Sequence, residues 1–551
     1  MVANVVNILN AGKSSLLSQL QAIQTTGENI ANVQTPGYSR QRVSLEATTM
    51  GVGVKVASVK RSHDNFIFKQ IVSENSAMGE TSLRKNIFDQ MEILFNDSIN
   101  SGLNSDLGDF FASLQDLANN PSGLAARAVV RSNAQSLSAT FNNIGNRLFE
   151  KQIQLDNSVA DEVTEINLMS GQIARLNEAI IENESDGFEA SNLRDDRDRL
   201  INRLAERIDV DIVEGLKGIN VTFNNGRPVV LGTSSFELSI QGNGNNKGFK
   251  DILLDDGLGG KSNITSRIKG GRMKGLLDMR DIELAGTLDQ LDRLAAGFIQ
   301  EFNKVNSQGF GADGSTGFNF FNPMVPSVLA NIENTGSAQL SMSNVNPNLV
   351  SSDRFEITIT GQNTFSLNNL STGLASGTFT FTPGSPFNVA GGLAATLTGT
   401  AQVGDRFTFS VSEKASRSMK VSLDILNDAQ KIAAGTTLGG DGENARNLAN
   451  IQSRLVFNGV SIDTAGSGSF TFDDFYTSIV SQVGINSRAT QTNQDQQEAI
   501  LLQLSNRREN LDGVSLDEEM INLIKFQQAF AAAGRLITIT DELIKNLGRQ
   551  V

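Results

Sequence analysis

Both ends of this 551-residue chain carry an apolar residue at every seventh position. Apolar residues at this spacing lie along one side of an α-helix and need a partner helix to cover them. The sequence therefore predicts two terminal helices that pack against each other through an assembly seam. The N-terminal part of the seam consists of Val2, Leu9, Leu16, Ile23 and Ile30, and the C-terminal part consists of Leu516, Leu523, Phe526, Phe530, Ile537 and Ile544.

Residues beside the two seams predict where the terminal helices end and begin. Thr35-Pro36-Gly37 should stop the first helix, because Pro disfavours helix at the preceding residue and Gly allows a positive φ. Ser515 is predicted to cap the last helix, and the acidic residues at 517–519 follow it in the first turn, where the helix dipole favours negative charge. Three successive residues point around a helix, so this pattern favours capping over a metal or acid–base site.

Further helices are predicted between these ends. From Leu124 to about Glu184 there is no Pro, and apolar residues recur with helical spacing over roughly 90 Å at 1.5 Å per residue. Similar spacing at 284–305 and 475–511 predicts additional helices that pack with the long one. The sequence thus indicates an elongated helical bundle.

A run of alternating Arg and Asp at 194–199 lies in another predicted helix. Arg194 with Asp198, and Asp195 with Arg199, are four residues apart and form ion pairs on the surface of a helix. The run is therefore interpreted as a solvated, salt-bridged face.

Two segments in the middle alternate with the period of a β-strand. Ile219, Val221 and Phe223 precede Asn225-Gly226, which predicts a hairpin with a tight turn. A second alternating region extends from about 309 to 412 and includes Phe355, Ile357, Ile359, Phe407, Phe409 and Val411. This pattern predicts a β domain inserted into a helical protein.

The predicted fold class is α+β and multidomain, with paired terminal coiled-coil helices, an elongated helical bundle and inserted β domains. Four parts are expected. They are a terminal helical assembly domain (1–60 with 511–551), a helical bundle domain (61–210 with 264–308 and 413–510), a small β region (211–263) and an outward β domain (309–412).

Composition excludes several kinds of function. The 46 Lys and Arg against 60 Asp and Glu give a formal net charge of −14, which disfavours a nucleic-acid partner. The chain has no Cys and a single His, His63, so cysteine chemistry and a two-His metal site cannot be built from it. No cofactor, metal or catalytic residue is predicted. The chain also has no unbroken apolar run for a membrane span or secretory signal, so neither membrane insertion nor a cleaved signal peptide is expected.

Two short motifs resemble those of a known family. The first is the segment after the N-terminal helix, and the second precedes and opens the C-terminal helix. Both resemble the bacterial flagellar hook-associated protein 1 family, as do segments 51–66, 120–137, 193–210 and 275–284. The motif residues are Asn32, Thr35, Pro36, Gly37, Tyr38, Ser39, Arg40, Gly513, Val514, Ser515, Leu516, Asp517 and Glu518. The chain departs from the family at Asp512, where Ser is common, and at Phe530, where Tyr is common.

The resemblance implies a structural, non-enzymatic protein of the extracellular flagellum that joins the hook to the filament. Its implied partners are further copies of itself, the hook protein, hook-associated protein 3 and an export chaperone that binds the C-terminal helix. It also implies export through the flagellar type III apparatus without a cleaved signal peptide.

Three alternatives remain open from the sequence. The chain resembles other flagellar axial proteins, such as hook, rod and hook-associated protein 3, in its two-ended helical layout. A carboxylate-dependent glycosidase would use loop acids such as Asp255, Asp256 and Asp313, although Gly next to Asp is more typical of a plain turn. An adhesin would bind its target through the segment 309–412.

Overall fold

Long α-helices form most of the molecule. The computed structural model describes residues 2–48, 53–95, 102–184, 188–215, 217–223, 226–345, 352–371, 373–389, 392–439, 441–458, 461–462 and 468–549. Its helices are α1 (Val2–Ala31), α2 (Asn65–Phe95), α3 (Leu103–Asn119), α4 (Leu124–Asn183), α5 (Ser191–Arg207), α6 (Gly271–Asp278), α7 (Leu284–Asn306), α8 (Ala415–Ser418), α9 (Leu423–Asn427), α10 (Glu443–Ala449), α11 (Phe472–Asp512) and α12 (Leu516–Arg549). No helix of the described residues is long and apolar enough to span a membrane.

Short antiparallel strands form several separate sheets. Near the N-terminus lie β1 (Gln41–Ala47) and β2 (Val54–Arg61), and near the C-terminus lie β18 (Phe457–Asn458) and β19 (Ser461–Ile462). A small β region contains β3 (Val210–Gly215), β4 (Gly218–Phe223), β5 (Pro228–Leu231), β6 (Ser234–Ser235), β7 (Leu238–Gly242), β8 (Lys250–Asp255) and β9 (Lys261–Asn263). The inserted β domain contains β10 (Ser327–Ala330), β11 (Gln339–Asn344), β12 (Phe355–Gly361), β13 (Thr364–Asn369), β14 (Leu374–Thr380), β15 (Pro386–Asn388), β16 (Leu393–Thr398) and β17 (Arg406–Ser410). Together with the long helices, these sheets confirm the predicted multidomain α+β fold class.

The two terminal helices lie side by side and run in opposite directions. Gly12 in the first part of α1 lies beside Ile537, whereas Asn29 near its end contacts Glu519 in the first turn of α12. A Cβ atom added at Gly12 would lie 2.8 Å from Ile537 Cγ1. The backbone of α1 therefore approaches α12 closely because this position has no side chain.

The helical body is held together by one continuous apolar core. The core includes residues of α2, α3, α4, α5, α7 and α11 together with the inner faces of the small β region. At its centre, phenylalanine rings from distant parts of the chain pack against one another, and the rings of Phe298 and Phe302 stack with centroids 4.3 Å apart. Aromatic pairs of this kind add to the stabilisation that comes from burying their area.

The small β region is fixed to α4 by a fully buried side chain, Asn177. Its amide nitrogen donates to the carbonyl oxygens of Ile219 and Gly232 at 2.8 and 2.7 Å. The predicted alternation is present in β4, where Ile219, Val221 and Phe223 are buried and pair with β3. Asn225 of the predicted turn lies outside the described residues, as does residue 224 before it.

The inserted β domain has a core of its own. Phe355, Ile357 and Ile359 of β12 face inward, as the alternation predicts, and Phe407 and Phe409 of β17 face inward with them. One sheet has the strand order β10-β17-β12-β13-β14, and the other has the order β11-β16-β15.

We expect Gly79→Ala to lower the melting temperature of the protein. A Cβ at Gly79 in α2 would lie 1.9 Å from the carbonyl oxygen of Glu206 in α5, so the two helices must separate. Such overpacking costs about 1–3 kcal/mol. Calorimetry of the purified chain measures the shift.

Gly286→Ala is the matched control, because Gly286 lies in α7 with nothing within 4 Å of its added Cβ. This change should raise the melting temperature slightly, since Ala favours helix over Gly by roughly 0.5–1 kcal/mol. Equal effects of the two changes would contradict the close approach of α2 and α5.

Candidate functional site

The two family-like motifs meet at one place, where the terminal helices join the helical body. We call this place the terminal joint and define it as residues 29–41, 61–64, 195–198 and 512–519. It contains the end of α1, the segment that leaves it, part of α5 and the link between α11 and α12.

The segment leaving α1 makes a tight turn. Tyr38 N donates to Thr35 O at 3.2 Å, with Pro36 and Gly37 at the two central positions. Gly37 has φ +84°, the value that the third position of a type II turn requires. A Cβ there would also lie 2.8 Å from Arg199 Cδ of α5. α1 itself ends at Ala31, before the predicted stop at Thr35-Pro36-Gly37, and the Pro-Gly turn then sends the chain along α5.

Asn29 is the central hydrogen-bonding residue of the joint. Its side chain is buried, and its Oδ1 accepts from Tyr38 Oη at 3.0 Å and from Gln41 N at 2.9 Å. Its Nδ2 donates to Gln41 O at 2.9 Å and to Glu519 Oε2 at 3.1 Å. All four hydrogen-bonding positions of the amide are therefore used, and they connect α1, the turn and α12.

Arg40 forms the ionic link between the N-terminal motif and α12. Its Nε donates to Glu519 Oε1 at 2.7 Å, and its Nη1 donates to Glu518 Oε2 at 2.6 Å. The side chains of Arg40 and Glu519 are only 10% and 3% exposed, whereas that of Glu518 is 62% exposed. The interpretation of residues 517–519 as acids that cap the helix was therefore incomplete, because Glu518 and Glu519 also form ion pairs with Arg40.

The interpretation of 194–199 as a solvated face was wrong. Asp195 and Asp198 are buried, and Arg61 Nη1 lies 2.8 Å from Asp195 Oδ1 and 2.7 Å from Asp198 Oδ2. Ser39 also donates to Asp195, from its N at 2.9 Å and its Oγ at 2.8 Å. The charges face inward because their partners come from the N-terminal segment, which helical spacing within α5 cannot indicate.

The ion pairs expected between residues four positions apart in α5 are replaced by other ion pairs. Arg194 Nε binds Glu184 Oε1 at 2.7 Å, and Arg199 binds Asp196, three residues before it. Arg197 is buried and donates to Asn177 at 3.2 Å. Burial lowers the pKa of Arg197, although the nearby Asp198 opposes this effect.

Asp512 connects the end of α11 to the start of α2. Its Oδ2 accepts from Asp64 N at 3.2 Å, and its backbone O accepts from Arg40 N at 2.8 Å. Ser62 Oγ donates to Leu511 O at 3.0 Å. The family departure at Asp512 thus lies in a buried position, where its carboxylate binds the segment that precedes α2.

The charges of the joint are stabilised in defined protonation states. Burial would lower the pKa of Arg40, but its hydrogen bonds to Glu518 and Glu519 outweigh this effect and raise it. Burial, with the nearby Glu28, Asp195 and Glu519, raises the pKa of Tyr38, so its hydroxyl stays protonated and donates to Asn29. Burial and the nearby Arg61 lower the pKa of His63, so its ring is neutral at pH 7.

The remaining motif residues form the link into α12. Gly513 N donates to Glu509 O at 2.9 Å, and Ser515 O accepts from Glu519 N at 2.9 Å. Val514 and Gly513 are half-buried, and Asp517 is exposed in the first turn of α12. On the other side of the joint, Asn32 and Thr35 hydrogen-bond to each other through their side chains at 3.2 Å.

The structure places the seam residues at different depths. Leu516 and Ile544 are 46% and 41% exposed, and the side chain of Val2 lies outside the described residues. Half-buried positions are taken by Leu9, Leu16, Ile23, Ile30, Leu523, Phe526, Phe530 and Ile537. Among the α1 side chains that the structure describes, the buried positions are instead small or polar, namely Gly12, Ser18, Gln19, Ala22, Thr25, Thr26 and Asn29.

Sequence reasoning missed three features of the joint. Asn29 was not among the candidate residues, although an uncharged polar residue next to an apolar seam often fixes helix register. Arg61 and the β1–β2 hairpin were also missed. The hairpin packs on α1, where Ser18 Oγ donates to Val54 O at 2.9 Å. Its first strand alternates Val43, Leu45 and Ala47 with polar residues, which is the signal that could have predicted it.

Two family models match the chain. Residues 88–321 match the model described as the flagellar hook-associated protein FlgK helical domain. Residues 512–549 match the model of the flagellar basal body rod FlgEFG protein C-terminal region. The second match begins at Asp512 and covers the part of the joint that opens α12.

Curated relatives and a solved structure agree with these matches. The chain is 29% identical to flagellar hook-associated protein 1 of Escherichia coli (strain K12), over 98% of this chain and 99% of the relative. It is 29% identical to the protein of the same name in Bacillus subtilis (strain 168), over 97% and 96%. Its fold is similar to that of the flagellar hook junction protein FlgK from Burkholderia pseudomallei, with a TM-score of 0.69 and 20% identity over 81% of this chain and 100% of the other.

These similarities extend over nearly the whole chain and include both motifs that meet in the terminal joint. The chain is therefore similar to flagellar hook-associated protein 1 over nearly its whole length.

Proposed function

We infer that this chain is a structural component of the bacterial flagellum and forms the junction between hook and filament. The observation that carries this conclusion is the terminal joint, which fixes both chain ends to one body and to each other. A subunit built in this way transmits the orientation of its terminal helices to its body. The curated relatives, whose names identify them as hook-associated proteins, support the same conclusion.

The terminal helices retain apolar surface for further contacts. On α12, Ile521 and Ile524 are 67% and 55% exposed, and on α1 Leu17 is 55% exposed. Ile521 and Ile524 are three residues apart and therefore lie on one side of α12, and exposed apolar surface of this kind marks a protein–protein contact. We propose that the α1–α12 pair packs against neighbouring copies along the flagellar axis, through the assembly seam and these outer residues.

Neighbours of other kinds follow from the position between hook and filament. We propose that the hook protein lies below the chain and hook-associated protein 3 above it. We also propose that the apolar side of α12 binds an export chaperone before assembly, and that export uses the flagellar type III apparatus. The support for these partners is the family resemblance together with the uncovered apolar side of α12.

We infer that the chain has no catalytic role. The loop acids of the glycosidase alternative bind turn backbone, since Asp256 Oδ1 accepts from Leu258 N and Gly260 N at 2.8 Å. Asp313 Oδ1 likewise accepts from Ser315 N at 2.9 Å. Within the ranges that the structure describes, no group of three or more acidic or His side chains could hold a metal ion.

Deletion of the gene tests the proposed function directly. We expect electron microscopy to show hooks without filaments, and flagellin to accumulate in the culture medium, because filament subunits would have no platform on which to assemble. Loss of the hooks as well would assign the chain to a lower part of the axis. Normal filaments would overturn the proposed function.

Glu519→Ala should loosen α12 far more than Glu518→Ala. Both acids bind Arg40, but Glu519 is buried and also accepts from Asn29. Breaking a buried ion pair costs about 3–5 kcal/mol, whereas an exposed pair contributes about 0–1 kcal/mol. Limited proteolysis of the purified chain should cut the α11–α12 link sooner in the Glu519 variant only, and equal cleavage of both variants would contradict this assignment.

Leu523→Asp should prevent incorporation of the chain into flagella. An unpaired carboxylate at this half-buried seam position would lose its water in the packed assembly, which costs several kcal/mol. Gln527→Asp, at an exposed position on the same helix, adds the same charge and serves as the control. Immunoblots of purified flagella measure incorporation, and normal incorporation of the Leu523 variant would remove it from the seam.

A further inference from the structure

His63 is the only His of the chain, and it lies in the terminal joint, between β2 and α2. His is the side chain that ordinarily changes its charge between pH 5 and 8. The side chain of His63 is only 16% exposed. A proton taken up by this ring therefore places a charge inside the joint.

The surroundings of the ring hold little water. The buried ring of Phe68 in α2 packs against it, with the two ring centroids 5.3 Å apart. His63 also lines a cavity of about 20 Å³, which has room for roughly one or two water molecules. A charged ring in this place loses most of its hydration, and this loss disfavours the charged form.

Charged groups face the cavity from segment 61–64, from α5 and from the end of α11. Besides His63, the ionisable side chains that line it are Asp64, Asp195, Asp198, Arg199, Arg508 and Asp512. Arg61 lies next to them, because it pairs with Asp195 and Asp198. Asp198 and Asp512 favour a charged ring, but burial and the guanidinium of Arg61 outweigh them and lower the pKa of His63.

Two basic side chains lie near the same carboxylate oxygen. Arg61 Nη1 is 2.7 Å from Asp198 Oδ2, and His63 Nδ1 is 3.8 Å from that oxygen. While the ring is neutral, only the guanidinium carries a positive charge there. A protonated His63 repels Arg61 and competes with it for Asp198.

Segment 61–64 connects α5 to the end of α11. Its first residue forms the ion pairs with α5. Ser62 Oγ donates to Leu511 O at 3.0 Å, and Asp64 N donates to Asp512 Oδ2 at 3.2 Å. A change of charge in the middle of this segment therefore acts on its contacts with both helices.

We propose that His63 is an acid-sensitive switch of the terminal joint. At neutral pH the ring is uncharged, and segment 61–64 holds α5 and the end of α11 together. Protonation of the ring weakens the ion pair between Arg61 and Asp198 and loosens the α11–α12 link, so the terminal helices are held less firmly on the body. The switch is a property of the single chain, so its failure would leave the proposed function intact.

The direction of the pH effect follows from proton binding. In an unfolded chain the pKa of His is about 6.5, whereas the pKa of His63 in the folded chain is lower. Between these two values the loosened chain binds more protons than the closed one, so the closed joint becomes less stable as the pH falls. The joint is therefore firm above about pH 6.5 and loosens progressively below it.

NMR of the imidazole signals tests the protonation step, and the single His makes their assignment unambiguous. We expect the ring in the purified chain to titrate at a lower pH than the ring in the same chain unfolded in urea. A midpoint equal to the unfolded value, or above it, would overturn the switch. This measurement needs no variant, so it is decisive even where a substitution prevents folding.

Limited proteolysis of the α11–α12 link tests the loosening step. His63→Gln keeps a polar side chain that stays uncharged at about pH 7.5 and at about pH 5.5, on either side of the ordinary pKa of His. The cleavage rate of the unchanged chain, divided by that of the variant, should rise by up to about ten-fold from the higher to the lower pH. This ratio cancels the pH dependence of the protease and of other groups, such as Asp292, whose pKa burial raises to about 6.

Cleavage within the inserted β domain is the matched control, because this domain has a core of its own. The ratio of the two cleavage rates there should stay the same at both pH values. A constant ratio at the α11–α12 link would overturn the switch. An equal rise in the inserted domain would overturn it as well, because protonation would then destabilise the whole chain and not the joint.

Discussion

A buried pair of charges, Arg40 and Glu519, connects the two ends of the chain. Removing a guanidinium and a carboxylate from water costs several kcal/mol for each ion, so each must remain next to the other. Asn29 binds the same carboxylate, and the backbone of Arg40 binds Asp512. The register of α12 on α1, the exit from α1 and the link between α11 and α12 all depend on this one interaction.

The molecule uses apolar and polar contacts for different purposes. The core of the helical body consists of aromatic and aliphatic side chains, such as Phe298 and Leu294, and the hydrophobic effect that stabilises this core has little directional preference. The terminal joint consists of charged and amide groups, whose hydrogen bonds require defined angles and distances. Apolar packing therefore stabilises the body, and the polar joint determines how the terminal helices are oriented on it. A junction subunit needs both, because its ends contact neighbours while its body has to keep a fixed position.

Sequence patterns predicted the elements better than their partners. The length of α4, the strands around Val221 and the separate core of the insert follow from periodicity, which is a local property. The same reasoning interpreted Asp195 and Asp198 as solvated, because it considered only residues of their own helix. Their cation, Arg61, comes from a strand more than a hundred residues earlier, and its contact is visible only after folding. The resemblance of the motifs identified Ser39 and Arg40 as motif residues but gave no physical reason for these residue types. The structure gives the reason, because Ser39 donates to the carboxylate of Asp195 and Arg40 donates to the carboxylate of Glu519.

The sequence by itself determined the long helices and the alternating strands of the two β regions, that the ends need a partner, and which family the chain resembles. These properties depend on the spacing of apolar residues and on short motifs, both of which are written along the chain. Only the tertiary structure decided which face of α1 is buried. The seven-residue stripe predicted a face of Leu and Ile, but the positions closest to α12 and the hairpin include Gly12, Ser18 and Asn29. Small and polar residues are buried there because the neighbouring backbones approach closely and because buried hydrogen-bonding groups need partners, and both conditions arise only when distant segments meet.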